Sequence, residues 1–142
     1  MTTVLDAENK IAGRLATSIS RRLKDGEEVR IVNAEKAVLS GNKEEIFADY
    51  KRKYERGSRD FGPHYPKRPD KVLKRIIRGM LPDNGGGADL LSNVKTYLGT
   101  PRRFEDDVEV PDTKEGDDLR NKNYVKLGEV SKHVGWTPKG DI

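Results

Sequence analysis

The apolar positions of the first forty residues define three elements. Thr3-Val4-Leu5 is a short apolar run that ends at Asp6 and reads as a strand. After Asn9, the residues Ile11, Leu15, Ile19 and Leu23 recur at every fourth position with Ala12 and Ala16 beside them, which is one apolar helical stripe. Asp25-Gly26 stops that helix. Val29-Arg30-Ile31-Val32 is a second, β-branched strand. Strand, helix and strand in such quick succession form a βαβ unit, which predicts a parallel pair.

The pattern then loosens. Ser40-Gly41-Asn42 is a turn, and Asn42 with Glu45 three residues on resembles a capping box. Ile46, Phe47, Tyr50 and Tyr54 share a helix face running to about Arg56. Gly57, Gly62, Pro63, Pro66 and Pro69 make a loop of the residues that follow. Asp70 is expected to cap a third helix, with Val72, Leu73, Ile76, Ile77, Met80 and Leu81 on its apolar side and Pro82 at its end. Lys71, Lys74, Arg75 and Arg78 lie opposite at i, i+3, i+4 and i+7. Asn84-Gly85-Gly86-Gly87 reads as a flexible loop, and Ala88 to Ser92 as one helical turn. Val94 to Leu98 is a third strand and Tyr124 to Leu127 a fourth, followed by a short helix over Gly128 to Val134. Between them, residues 105–118 carry eight carboxylates against Lys114 and have almost nothing to bury, so they read as an extended or partly disordered acidic surface segment.

Composition narrows the class. A chain of 142 residues with 33% hydrophobic and 37% charged residues supports one domain with a modest core and a large polar surface. There is no cysteine, which excludes disulfides and thiolate metal sites and fits a cytoplasmic setting. The amino terminus shows no basic start followed by an apolar run, and no stretch approaches the length of a membrane span. The net charge of +4 is modest, but it is unevenly placed. Residues 51–80 hold 11 Lys/Arg against 3 Asp/Glu, while the segments on either side are slightly acidic. A concentrated single-sign block suits a polyanion; a solvated charged face usually mixes both signs.

The residues of that block are therefore the candidate RNA-binding set. Lys51, Arg52, Lys53 and Arg56 end the second helix, Arg59, Lys67 and Arg68 lie in the loop, and Lys71, Lys74, Arg75 and Arg78 follow on the third helix. Phosphate contacts by Lys and Arg supply most nucleic-acid affinity. Aromatic residues interleave with these charges. Tyr54 reads as core, whereas Phe61, His64 and Tyr65 suit either base stacking or packing against the neighbouring prolines. The prolines of Pro63-His64-Tyr65-Pro66-Lys67-Arg68-Pro69 lower the entropy lost when such a loop docks. Other chemistry finds no support. The glycine run at 85–87 fits no phosphate-loop pattern, His64 and His133 show no metal-ligand spacing, and no serine stands in a nucleophile motif. Asp6 follows the first strand and reads as the start of the next turn. No catalytic residue, cofactor site or metal site is expected.

In order along the chain, several motifs resemble the universal large-subunit ribosomal protein L-thirteen family in its archaeal and eukaryotic form. They are Ala12-Gly13-Arg14-Leu15-Ala16, then Val32-Asn33-Ala34-Glu35-Lys36-Ala37-Val38-Leu39-Ser40-Gly41. The most specific is Tyr65-Pro66-Lys67-Arg68-Pro69-Asp70 leading into Ile77-Arg78-Gly79-Met80-Leu81-Pro82, followed by Val94-Lys95-Thr96-Tyr97-Leu98-Gly99. The absence of cysteine and the Pro-Lys-Arg-Pro loop point to the archaeal side. The resemblance implies a three-layer α/β/α sandwich with a four-stranded, largely parallel sheet. It implies a structural constituent of the large subunit, located in the ribosome in the cytoplasm. Such a protein binds large-subunit ribosomal RNA, adjoins other large-subunit proteins and supports early subunit assembly. It takes no small-molecule substrate and does not associate with membranes. The chain departs from the family at the glycine run, which lacks basic residues, and at the acidic stretch, which is expected to face solvent, a cation or a basic neighbouring protein. A free RNA-binding regulator and a nucleotide-binding enzyme built on the βαβ unit are the competing readings. The second lacks a phosphate loop and a catalytic set.

Overall fold

The structure is a computed structural model and describes residues 2–55, 67–81, 85–111, 113, 115 and 123–137. It begins as the apolar pattern predicts. Strand β1 (Thr2–Asp6), helix α1 (Ala12–Lys24) and strand β2 (Glu28–Val32) form a parallel βαβ unit, with Thr2 opposite Glu28 and Asp6 opposite Val32. Leu15, Ile19 and Leu23 of α1 are fully buried, as are Ala12 and Ala16. The leucine and isoleucine side chains each contribute about 1.5–3 kcal/mol on burial. The helix stops where Asp25 bonds back to the carbonyls of Arg21 and Arg22 and Gly26 takes a φ of +89°, a left-handed turn that favours glycine. At the end of β1, Asp6 accepts the amide of Glu8 at 2.9 Å, so it starts the turn as expected.

The main sheet has four parallel strands in the order β4-β2-β1-β5. Strand β4 (Val94–Thr96) adds to the outer side of β2. The fourth member differs from the expectation. It is β5 (Val108–Glu109), inside the acidic stretch, pairing Val4 with Val108 and Leu5 with Glu109. Tyr124–Lys126 is indeed a strand, β6, but it pairs antiparallel with β3 (Val38–Ser40) in a separate two-stranded sheet. The fold is thus mixed α/β, with a four-stranded parallel sheet, a small antiparallel pair and five helices among the described residues.

The other helices are α2 (Lys43–Glu55), α3 (Pro69–Gly79), α4 (Gly85–Leu91) and α5 (Leu127–His133). At the start of α2, Asn42 Oδ1 accepts the amides of Glu44 at 2.8 Å and Glu45 at 3.4 Å, the cap the sequence indicated. Helix α4 includes the three glycines read as a flexible loop. Leu90 and Leu91 pack against the core, and that packing overrides the weak helix propensity of glycine. Helix α3 packs on α1, on α5 and on β4, and α2 packs on α5. The core therefore joins the sheet to α1, α3 and α5 through Leu5, Leu15, Ile31, Leu73, Ile77 and Leu127. No helix among the described residues is long and apolar enough to cross a membrane.

Candidate nucleic-acid interface

Helix α3 carries the centre of the charged block, and its two faces are sharply different. Val72, Leu73 and Ile77 are buried, and Leu81 just beyond the helix is buried too. Ile76 is only half-buried and Met80 is 42% exposed, so the apolar side is narrower than the sequence suggested. The Met80 amide bonds back to the carbonyls of Arg78 and Ile77 as the helix ends, and its Sδ lies 4.0 Å from the Thr17 hydroxyl of α1. Across from the buried stripe, Lys71 and Arg78 are exposed, and Lys74 and Arg75 are half-buried along the flank.

Asp70 does not cap this helix. The cap position is Arg68, with Pro69 as the first helical residue, where its missing N–H costs nothing. Asp70 instead turns inward and is 7% exposed. Arg68 Nη2 donates to its Oδ2 at 3.2 Å, and its carbonyl accepts the Thr96 hydroxyl at 2.8 Å, which ties the start of α3 to β4. Its other carboxylate oxygen is buried without a hydrogen-bond partner among the described residues. Arg68 is thus committed to fixing the helix start, although its side chain is still 52% exposed. Among the described residues no carboxylate lies within 4.0 Å of Lys71, Lys74 or Arg78. Among the described residues nothing neutralises these three cations.

Lys51, Arg52 and Lys53 are exposed at the end of α2. Lys53 is held on its own helix, 3.4 Å from Asp49 and 4.7 Å from the Tyr50 ring. Lys67 is exposed, and its ammonium lies beside Gly135, 3.5 Å from where a Cβ would stand. The fold thus gathers Arg68, Lys71, Lys74, Arg75 and Arg78 on one element. It seats Lys51, Arg52 and Lys53 on another helix that shares α5 as its support. Arg56, Arg59, His64 and Tyr65, together with Phe61, lie outside the described residues.

Two features escaped the sequence reading. Arg103 lies 4.8 Å from the Phe104 ring centre and 5.5 Å from that of Tyr97, and its Nη2 donates to the Tyr97 hydroxyl at 3.0 Å. A guanidinium in contact with two rings and a phenolic hydroxyl is preorganised, with Arg102 exposed beside it. Only the folding of the 97–104 loop brings these residues together. The second feature is the docking of the acidic stretch. Lys10, 4% exposed, pairs with Glu115 at 2.8 Å, and Asn9 donates to the same carboxylate at 3.1 Å. By contrast Glu105, Asp106, Asp107 and Glu109 are exposed. Gly79 on α3 has nothing within 4 Å of an added Cβ. Close backbone approach is instead at Gly128, where a Cβ would stand 3.2 Å from the carbonyl oxygen of Glu35.

Comparison with known proteins adds the remaining facts. A family profile described as Ribosomal protein L13 matches residues 1–103. The large ribosomal subunit protein uL13 of Methanosarcina barkeri (strain Fusaro / DSM 804) is 46% identical over 138 residues, covering 94% of this chain and 97% of its own. The protein of the same name from Haloquadratum walsbyi is 45% identical over 135 residues, 94% of this chain and 91% of its own. That of Methanocaldococcus jannaschii is 41% identical over 138 residues, 94% and 97% respectively.

Proposed function

The chain belongs to the ribosomal protein L13 family, whose members are structural, non-enzymatic proteins of the large ribosomal subunit, and from that premise we propose that it is anchored there by ribosomal RNA lying against the cationic face of α3. The observation that carries this reading is the division of the helix. Val72, Leu73 and Ile77 are spent on the core, while Lys71, Lys74 and Arg78 remain without carboxylate partners among the described residues. Leaving three cations unneutralised on one rigid stripe is unfavourable for a free domain and favourable for one that meets phosphates. Lys51, Arg52 and Lys53 on α2 widen the same field, and Lys67, Arg68 and Arg75 flank it. The candidate residues outside the described part, Arg56, Arg59, His64 and Tyr65, belong to the same contact by their place between the two helices in the chain. A protein held this way can bind folded RNA before its neighbours arrive, which is the physical basis for a role in early subunit assembly. The exposed carboxylates at 105–107 repel phosphate and fit solvent or a basic neighbouring large-subunit protein.

The test is the salt dependence of binding to a large-subunit ribosomal RNA fragment. Removing two phosphate contacts with Lys71→Ala plus Arg78→Ala lowers the magnitude of the salt slope by about two. Arg21→Ala plus Lys24→Ala, exposed cations on α1, leaves it within experimental error. Equal losses for both pairs would overturn the assignment of α3.

A further inference from the structure

We propose that a cleft at the carboxyl end of the parallel sheet binds one unpaired nucleotide of RNA, with the base stacked on Trp136 and the phosphate held by Lys36, Lys126 and Lys132. This deepens the reading above by adding a second, structurally separate place of contact, and it rests on RNA being the partner. The cleft measures about 370 Å³, within the range of small-ligand sites. Trp136 and the three lysines line it, Lys36 from the turn after β2 and the others from residues 126–136.

Its walls are fixed by hydrogen bonds. Strand β2 runs directly into a left-handed Asn33 and a 3-10 turn at Ala34–Lys36. The Asn33 amide donates to the Gly99 carbonyl at 2.8 Å, and Ala34 to that of Tyr97 at 3.1 Å, so the loops after β2 and β4 are joined. The Glu35 carboxylate accepts the Gly99 amide with both oxygens, at 3.0 and 3.2 Å. Helix α5 closes the third side, and Gly128 lets it approach the Glu35 backbone. At the far end of α5, Gly135 adopts a φ of +113° and the Trp136 amide donates to the Ser131 carbonyl at 2.9 Å, which holds the indole's backbone in place.

The charges of the cleft favour an anion. Among the described residues it contains two carboxylates, and both are engaged by backbone amides: Glu35 as above, and Glu129 by the amide of Lys126 at 3.4 Å. Glu35 is also 8% exposed and so faces into the protein. Lys36, Lys126 and Lys132 are exposed and, among the described residues, have no carboxylate within 4.0 Å. An aromatic wall among three unneutralised ammonium groups fits a ligand that is planar on one side and anionic on the other. An unpaired nucleotide has both; an acidic peptide has only the charge. Lys67 reaches Gly135 next to this wall, so the cleft adjoins the basic segment that leads into α3.

Trp136 is the sole tryptophan of the chain, and its emission therefore reports on the cleft alone. The experiment titrates the full chain with a short labelled single-stranded oligoadenylate, reading Trp136 emission and label anisotropy together. Saturable quenching that tracks the anisotropy is expected. By anisotropy, Trp136→Ala weakens binding about tenfold or more, Trp136→Phe restores most of it, and Lys36→Ala plus Lys132→Ala lowers the magnitude of the salt slope by about 0.7, the share of one phosphate in a single strand. Each variant is compared at an unchanged unfolding midpoint. Binding without quenching, absence of binding, or equal quenching by oligoglutamate would overturn the proposal, the last by assigning the cleft to an acidic protein chain. The same titration with Lys71→Ala plus Arg78→Ala separates the two readings. If that pair loses the ribosomal RNA fragment while wild type shows no quenching, α3 stands and the cleft fails. Quenching with α3 variants that bind the fragment like wild type gives the reverse.

Discussion

Helix α3 and the acidic stretch after β4 are both densely charged, yet the fold uses their charges differently. On α3 the apolar face and the polar ties of Asp70 secure the helix, and Lys71, Lys74 and Arg78 take no part in it among the described residues. In the acidic stretch there is little apolar surface, and a charge does the anchoring: Glu115 meets a lysine that is 4% exposed, while Val108 and Glu109 complete the sheet edge. Charge density alone therefore does not mark a partner-binding surface. What distinguishes the two regions is whether removing a charge strands a buried group.

The sharpest test of that contrast is on α3. Ile77 is fully buried, and Ile77→Ala is expected to cost roughly 2–5 kcal/mol of unfolding free energy in chemical denaturation. Lys74→Ala should stay within about 0.5 kcal/mol, and comparable losses for the two would mean that the basic side packs against protein. Next in size is Glu115→Ala, which leaves the buried Lys10 ammonium without its carboxylate and should cost about 2 kcal/mol. A wild-type melting temperature for that variant would show that the acidic stretch is not anchored through charge. The glycines give a smaller difference. Gly128→Ala must push apart the Glu35 backbone, costing about 1–3 kcal/mol, whereas Gly79→Ala meets open space and should be neutral or stabilising by up to about 1 kcal/mol. The smallest effect is on the exposed acids. Asp106→Asn plus Asp107→Asn should leave stability unchanged within about 0.5 kcal/mol. The same pair leaves RNA affinity unchanged or slightly raised; a tenfold fall would place those carboxylates at the RNA. Deleting the whole stretch is not an equivalent test, because it removes β5 and Glu115 as well.

What was legible in the sequence followed local periodicity. The stripe of α1, the two strands around it and the inward and outward faces of α3 are written at fixed spacing, and the burial of Leu15, Ile19, Leu23 and Ile77 follows it. The family resemblance was legible for a similar reason, because its motifs are contiguous. Features set by distant partners were not. Two residues, Val108 and Glu109, become a strand only because β1 offers an open edge, and nothing in an acidic context signals that. Tyr124–Lys126 reads as a strand, but its choice of β3 over the main sheet is not local information. Asp70 resembles a helix cap by type and position, yet the helix starts at Pro69, two residues earlier than a cap at Asp70 requires, and the carboxylate turns inward. The lysines around Trp136 come from two distant stretches, both in parts of the chain that are net acidic, so no window of sequence groups all three.

The position of β1 in the sheet order has a consequence for how the chain is made. β1 leaves the ribosome before either neighbour and can pair with β2 almost at once, but its other neighbour, β5, begins only at Val108. At a synthesis rate of about 5–20 residues per second, the intervening chain takes on the order of 5–20 seconds to appear. Throughout that interval β1 presents an unpaired edge bearing Val4 and Leu5, the kind of template on which other chains add strands. Parallel pairing across so long a separation is also intrinsically slow to form. Chains that terminate before Val108 keep this edge permanently, and they should associate through it even though the matched family region, residues 1–103, is intact.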